Sequence, residues 1–585
     1  MAGRALPLLA AGLLLGTFLS AATTAAPSRA AGASRAAGAS RTAGAAASPA
    51  GAATPPTGRL IVLGERGPRG AVAARAAATR AGARASGPQV PQLGLVTVRP
   101  RRGEPLAAAV RRLAAQRGVR AVEVERRMTL RALPDDPGLH LPEPAGGGLR
   151  SPLPAGTPLQ WPLLRSGFPA AWATTGGERA LVGVVDTGVD ASHPELAGKL
   201  AAVVDQRGPG HANVPATTDA DGHGTHVASI ACGATGNAAG IAGAGRDCRL
   251  VVEQTDLTDA SIAASIVDAT DRGAHAINMS FGDDGSRPAG AAIQRAIRYA
   301  VHRRVVLVAA AADEPVREQG DPANVLQPTG SGPDLDAGVG LSVTAAAYDG
   351  GRAPFAGFGS QVSLAAYGAA GGAGAVPRGV VGAFPATPTR FELAGEPCRC
   401  RTEIGGDSRY GYLAGTSMAA PQVAAAAALV RALNPDLSAA DVVRLLKRTA
   451  RRPTGRGWSP ALGWGILDAG RAVAAARTLD RRPPTSLPSA RAGLRRGILA
   501  LRWSAEDSAP AGVVAAGVRS VELTVSPLRA AGGVERRIAL RAAVRATTVR
   551  VVPGERYAIR SQALDRAGNR EPAARRPPLV VRAPR

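Results

Sequence analysis

Between residues 159 and 475, short and wholly apolar runs alternate with Ala-rich stretches of helical spacing, and this alternation limits the fold more than any other feature. The runs Ala180–Val185, Leu250–Glu253, Ala276–Met279, Val305–Ala309 and Leu341–Ala345 have strand length and almost no polar face. Helices are expected to start near His223, Ser261, Gly290 and Thr416. A strand without a polar face must be covered on both sides, and strands joined through helices run parallel. The fold class is therefore α/β: a parallel sheet covered by helices on both faces. At 585 residues the chain exceeds a single core, so further units are expected to flank it.

Residues 1–26 read as an export signal, with Arg4 before an apolar stretch from Leu8 to Leu19 and small residues from Ser20 to Ala26. The apolar stretch is short for a membrane span, and no membrane span is expected after its removal. Residues 27–57 are low-complexity Ala, Ser, Arg, Gly and Pro, suited to a spacer. Residues 58–133 suggest a small α+β unit, with strands at Arg59–Leu63, Leu93–Val98 and Val119–Val124 and a helix at Leu106–Gln116. A Pro-rich connector over 134–158 is expected to be exposed and cleavable. Beyond a second linker at 476–490, residues 491–585 carry short alternating runs such as Leu499–Trp503, Ser520–Thr524, Thr548–Val551 and Tyr557–Ala563. These predict an all-β sandwich with Trp503 in its core.

The net charge of +26 invites a nucleic-acid reading. Aromatics make up only 3% of the chain, and all but two of its 70 basic residues are Arg, spread along a sequence rich in Ala and Gly. Base stacking lacks its usual partners, so no nucleic-acid partner is expected. Cys232 and Cys248 form a reasonable disulfide pair for an exported protein. Cys398 and Cys400 are one residue apart, which disfavours a direct bond, and with no His nearby they make a poor zinc site. No metal site is derived from them.

Three peptides carry the chemistry: Val185-Asp186-Thr187-Gly188, Asp221-Gly222-His223-Gly224-Thr225-His226 and Gly415-Thr416-Ser417-Met418-Ala419. They supply a carboxylate, an imidazole and a hydroxyl, the groups of a Ser-His-Asp nucleophile system. Asp186 ends an apolar strand, His223 opens a helix, and Ser417 stands at a helix N-terminus whose free N–H groups favour a developing oxyanion. His226, one turn from His223, is read as packing or supporting. The order Asp, His, Ser is that of subtilisin-like chains.

With Ser192-His193-Pro194-Glu195-Leu196, Ile277-Asn278-Met279-Ser280-Phe281-Gly282 and Gly463-Trp464-Gly465, residues 159–475 resemble a subtilase (peptidase family S8) domain. Trp172 stands where mature subtilases begin. The resemblance implies a secreted serine endopeptidase acting on polypeptide substrates, with Asp186, His223 and Ser417 catalytic and Ser280, Phe281 and Gly282 holding substrate backbone. By position, 58–133 is similar to the inhibitory propeptide of such enzymes, so the protein is expected to be a zymogen. The C-terminal unit is similar to fibronectin type III or immunoglobulin-like modules, which suggests a cell-surface or matrix partner.

Two departures from the family pattern stand out. Asp313 occupies the place of an Asn whose amide donates to the oxyanion, and an ionised Asp has no donor. The Gly-rich edge strand that pairs with substrate is shortened to Glu253–Leu257. These departures motivate the alternative of a catalytically impaired, binding-only subtilase fold acting through its C-terminal sandwich. No organic cofactor is implied. Calcium is a family habit, and Glu195 with Gly236-Asn237 could contribute ligands, without completing a set.

Overall fold

The computed structural model describes residues 56–126, 133–143, 153–208, 216–283, 285, 290–371, 379–394, 398, 400–453, 455, 457–492, 497–529, 534–573 and 577–585. The export signal expected over 1–26, and all but the last two residues of the spacer expected over 27–57, lie outside the described residues.

The first described unit comprises β1 (Pro56–Leu63), α1 (Pro68–Arg80), β2 (Arg84–Val90), β3 (Leu95–Arg99), α2 (Leu106–Ala114) and β4 (Ala121–Arg126). Its sheet has the order β2-β3-β1-β4, antiparallel throughout. Leu60, Val62, Val96 and Val98 alternate along β1 and β3 and close over Ala74 and Leu113 of the helices. The expected strand at Val119–Val124 begins two residues later, because Gly118 adopts φ +90° and turns the chain first. The sequence reading missed α1 and β2. α1 is built mainly from Ala and Arg, and β2 (Arg-Ala-Ser-Gly-Pro-Gln-Val) has a single large apolar residue, so neither carries apolar periodicity.

The central unit contains α3 (Trp161–Arg165), α4 (Phe168–Trp172), β5 (Leu181–Asp186), β6 (Leu200–Asp205), α5 (His223–Cys232), β7 (Arg249–Gln254), α6 (Asp259–Asp271), β8 (Ala276–Met279), α7 (Ala291–His302), β9 (Val306–Ala310), α8 (Ala323–Leu326), β10 (Leu341–Ala346) and β11 (Leu364–Tyr367). The small antiparallel sheet of β12 (Val380–Ala383), β13 (Arg401–Ile404) and β14 (Asp407–Leu413) follows, with α9 (Arg390–Leu393) in the loop after β12. Helices α10 (Thr416–Leu433), α11 (Ala439–Thr449) and α12 (Ala469–Thr478) complete it.

The main sheet is parallel and seven-stranded, in the order β11-β10-β9-β8-β5-β7-β6. Along β5, Val182 and Val184 pack among residues of α5, α10 and α12, while Val185 packs among residues of α6 and α7. A period of two on a strand buried on both sides explains why it reads as one apolar run. The expected shortened edge at Glu253–Leu257 is different in the structure. Glu253 and Gln254 end β7, which lies between β5 and β6, and Leu257 at φ +61° turns the chain into α6.

The C-terminal unit is a sandwich of β15 (Thr485–Ala492), β16 (Ile498–Glu506), β17 (Val518–Pro527), β18 (Arg536–Arg541), β19 (Ala546–Arg550), β20 (Arg556–Asp565) and β21 (Leu579–Arg582). Its sheets are β15-β16-β19 and β18-β17-β20-β21, with Trp503, Leu523 and Ile559 among the residues between them.

The expected linker at 476–490 shrinks to 479–484, since α12 runs to Thr478 and β15 begins at Thr485. This short link is held to the sandwich at Asp480: Asn569 Nδ2 donates to its carbonyl and Ala516 N to its carboxylate.

The connector at 134–158 is also not simply exposed. Asp136 and Leu139 are fully or almost fully buried, and Gly138 N donates to the Gly240 carbonyl at 2.8 Å. Cys232 is bonded to Cys248, as expected. Cys398 is bonded to Cys400 against expectation, their Cα atoms 5.0 Å apart, within the span a disulfide bridges.

Candidate active site

Asp186 closes β5, an interior strand between β8 and β7, so its carboxylate emerges at the carboxyl edge of the sheet. It is 2% exposed. Oδ1 accepts from Thr187 N at 2.8 Å and from His223 Nδ1 at 2.7 Å. That second bond fixes the imidazole as the tautomer whose Nε2 is free to act as base.

Two glycines let His223 approach so closely. Gly222 caps α5 at φ +88°, and a Cβ there would lie 2.5 Å from the Thr389 methyl. A Cβ on Gly224 would lie 2.1 Å from the Gly188 carbonyl, so the start of α5 touches the turn after β5.

Asp219 ties this turn together and was missed from sequence. Its carboxylate accepts from Thr187 Oγ1, Gly222 N, and both N and Oγ1 of Thr225. Its only sequence signal is its place two residues before Asp221-Gly222-His223.

Of the 18 residues of α10, Ser417 alone is not buried. Pro421 sits one turn further on and has no N–H, so the Ser417 carbonyl loses its helical donor. Ser280 Oγ fills that vacancy, donating to the Ser417 carbonyl at 2.9 Å, and Asn278 Nδ2 donates to Ser280 Oγ at 2.9 Å. Ser417 Oγ in turn donates to the Ser280 carbonyl at 2.9 Å. Transfer of the Ser417 proton to His223 therefore requires the hydroxyl to rotate away from Ser280, an adjustment common between resting and substrate-bound sites.

Ser280 was expected to hold substrate backbone. Its hydroxyl is committed to α10, because Pro421 leaves a carbonyl to satisfy. Phe281 packs against the core beside α6 and α7, and Gly282 is exposed. His226 is fully buried, and its Nε2–H points between the carbonyls of Val380 and Gly411, 3.1 Å from each. Burial holds its pKa down to about 3, so it is a neutral strut between α5 and the small sheet.

His223 is different. Burial disfavours its charged form, but the Asp186 carboxylate, through charge and hydrogen bond, outweighs this with help from Asp221 and Asp219, raising its pKa to about 9. An imidazole acts as base only when neutral, so kcat/KM is expected to rise with pH through an inflection near 9. Asp221→Asn removes one of the charges that raise the His223 pKa, and a pH–rate profile should show the inflection moved to lower pH.

Asp313 as a residue is exposed, yet its carboxyl end turns in, and Oδ1 accepts from Thr416 N at 2.8 Å. The water it loses there raises its pKa above the ordinary carboxylate value, opposed by the Thr416 N–H and by His223. Oδ2 lies 2.9 Å from where a Gly415 Cβ would stand, so a side chain at that position would displace the Asp313 carboxylate.

Of the residues considered for calcium, Glu195 Oε1 accepts from Ile241 N and Tyr410 OH and Asn237 Oδ1 accepts from Ala239 N, while Glu195 Oε2 is buried without a hydrogen-bond partner among the described residues. A hard cation takes six or more oxygen ligands, and these residues do not make up that number. Burial raises Glu195 to about 8, which also leaves it largely neutral at pH 7.

The sign of its effect on stability follows. A folded-state pKa raised above the unfolded 4.5 gives stability that is complete below 4.5 and lost as pH rises through about 8. Glu195→Gln, which keeps an acceptor for Ile241 N and Tyr410, should therefore raise Tm at pH 8 and leave it nearly unchanged at pH 4.5. Each kcal/mol is worth roughly 2–4 °C in a domain of this size. Thermal melts at the two pH values check this.

A strand-end carboxylate hydrogen-bonded to a helix-opening His, with a partly exposed Ser at the N-terminus of a buried helix, supplies the three groups of a serine-nucleophile hydrolase on a parallel α/β sheet. Comparison with known proteins agrees: the description of the subtilase family, peptidase S8, matches residues 177–465.

Fervidolysin of Fervidobacterium pennivorans is 30% identical over 309 residues, covering 51% of this chain and 41% of that protein. Thermitase of Thermoactinomyces vulgaris is 30% identical over 296 residues, covering 49% of this chain and 87% of thermitase. An extracellular protease of Xanthomonas campestris pv. campestris is 30% identical over 346 residues, covering 52% of this chain and 53% of that protein. The chain thus spans less than half of fervidolysin and most of thermitase. It belongs to the subtilase family.

Proposed function

We propose that the protein is a secreted serine endopeptidase, made as a zymogen, that hydrolyses polypeptides through an acyl-enzyme on Ser417. The observation that carries this reading is the 2.7 Å bond from His223 Nδ1 to the buried Asp186 carboxylate, beside the fact that Ser417 is the one residue of α10 that is not buried. In this reading His223 accepts the Ser417 proton, then returns it to the leaving amine, while Asp186 steadies the imidazolium. The Ser417 N–H faces the developing oxyanion. Asp313 is the second group at that oxygen and, when ionised, works against it. Gly282 offers exposed backbone to the substrate.

Export is supported by the signal-like residues 1–26 and by the relative named an extracellular protease. No helix among the described residues is long and apolar enough to cross a membrane. The α+β unit before the catalytic one takes the inhibitory role, and removal is assigned upstream of Asp135, because Asp135 and Asp136 hold the Gly236–Ala238 loop.

Expression of residues 27–585 beside Ser417→Ala, followed by intact mass and N-terminal sequencing, tests this. Trimming upstream of Asp135 in the parent alone supports the reading. Both chains intact, with no hydrolysis of an unfolded substrate, would leave a binding-only protein.

A further inference from the structure

The charge of the chain divides unevenly between its units. Residues 159–475 hold 27 Lys and Arg against 29 Asp and Glu, a net −2. Residues 485–585 hold 19 Arg, no Lys and seven Asp and Glu, a net +12. A general compositional preference for Arg would act on both units. The sandwich and the first α+β unit, where residues 58–133 hold 16 Arg against four Glu, carry the excess, and the catalytic unit between them does not.

Part of this excess gathers on one flank. β18 and β19 are edge strands, one from each sheet, and both border a cavity of about 600 Å³. Arg536 and Arg537 line it from β18 and Arg550 from β19. A second cavity of about 590 Å³, at the other end of β19, is lined by Arg502 and Arg545. Arg502, Arg536, Arg541, Arg545 and Arg550 are exposed, and their side chains enter no ion pair or hydrogen bond among the described residues. Arg537 pairs only with the exposed Glu535, at 3.1 Å.

The register sets the geometry. Arg537 stands opposite Thr524 and Arg541 opposite Ser520 on the outer face of β18, about 13 Å apart at the usual rise per residue. Arg536, opposite Val525, is on the inner face. An open strand edge offers main-chain N–H and C=O groups to any extended chain, and rows of like charge keep identical copies from pairing there. The same arginines would attract a strand of opposite charge. Trp503 and Tyr557, the sandwich's only aromatics, are buried, so the flank has no platform for stacking bases.

We propose that this flank docks an extended acidic polypeptide segment, which adds as a strand to β18. On such a strand, carboxylates four residues apart meet Arg537 and Arg541, and those on its other face meet Arg536 and Arg550. Main-chain bonds give affinity and the arginines select acidic partners, the division of labour of strand-addition recognition.

The test uses the full chain carrying Ser417→Ala, so that the bound peptide stays whole. The probe is a fluorescein-labelled peptide of three Glu-Glu-Thr-Thr repeats, which sets carboxylates four residues apart on each face of a strand, followed by anisotropy. Binding is expected to weaken as salt rises from about 50 to about 300 mM. It should fall on the order of tenfold when Arg536, Arg537, Arg541 and Arg550 are all changed to Gln, with Tm unchanged. Methylating alternate amides of the peptide should weaken it comparably. The proposal is overturned if the methylated peptide binds equally well, if polyphosphate or duplex DNA outcompetes the peptide, or if the four-Gln variant binds as the parent does.

Discussion

Ser417→Ala is expected to lower turnover of a polypeptide substrate by about 10⁶-fold, the size of loss seen when the nucleophile of subtilisin is removed. The reason lies in how the site is built. Ser417 is the one side chain of α10 that is not buried, and its helix turn is pinned by Asn278, Ser280 and the missing N–H of Pro421. No neighbouring hydroxyl is placed to take its role: Ser280 is 3% exposed and already bonded, and Thr416 donates to the Ala311 carbonyl. The fold should survive, because Ser417 Oγ makes a single hydrogen bond in the resting site. Steady-state kinetics beside a thermal melt separates lost chemistry from lost structure. A loss of less than tenfold would remove Ser417 from the mechanism.

Asp313→Asn is expected to act in the opposite direction, raising kcat by roughly 10²–10³-fold, the worth of one such donor in subtilisin. Asn can keep the bond that Asp313 Oδ1 accepts from Thr416 N. Its amide nitrogen then stands where Oδ2 does now, so an acceptor beside the oxyanion becomes a donor. The gain should be largest at alkaline pH, where the parent carboxylate is ionised, and smaller at acid pH, where a protonated Asp313 can itself donate. Since both enzymes share His223, the ratio of their rates isolates Asp313 across the pH range. A ratio near one at every pH would mean that Asp313 does not face the reacting oxygen.

Much of this site was legible in the sequence because its residues lie in short local peptides. Strand end, helix start and helix N-terminus place Asp186, His223 and Ser417 wherever the flanking apolar runs pack. The supporting groups were less legible, because their partners are remote in sequence. Asp219 is an unremarkable loop acid until Thr187, Gly222 and Thr225 converge on it. Ser280 reads as a cleft residue, and its commitment to α10 follows only once Pro421 is seen to free the Ser417 carbonyl.

The parallel sheet was readable from its apolar runs, but β6 and β11 were not singled out. In an Ala-rich chain, Leu364–Tyr367 carries no periodicity that separates a short strand from a helix turn. Composition also misled at the borders. Prolines signalled an exposed connector at 134–158, and a linker was read at 476–490, yet buried Asp136 and Asp480 anchor both by accepting backbone N–H groups.

The most direct test of the central claim is intact mass spectrometry of the trimmed protein after treatment with a fluorophosphonate at pH 9. One adduct per chain is expected, on Ser417, formed more slowly as pH falls and absent from Asp186→Asn over the same interval. A parent chain that stays unmodified, or an adduct on a residue other than Ser417, would contradict it.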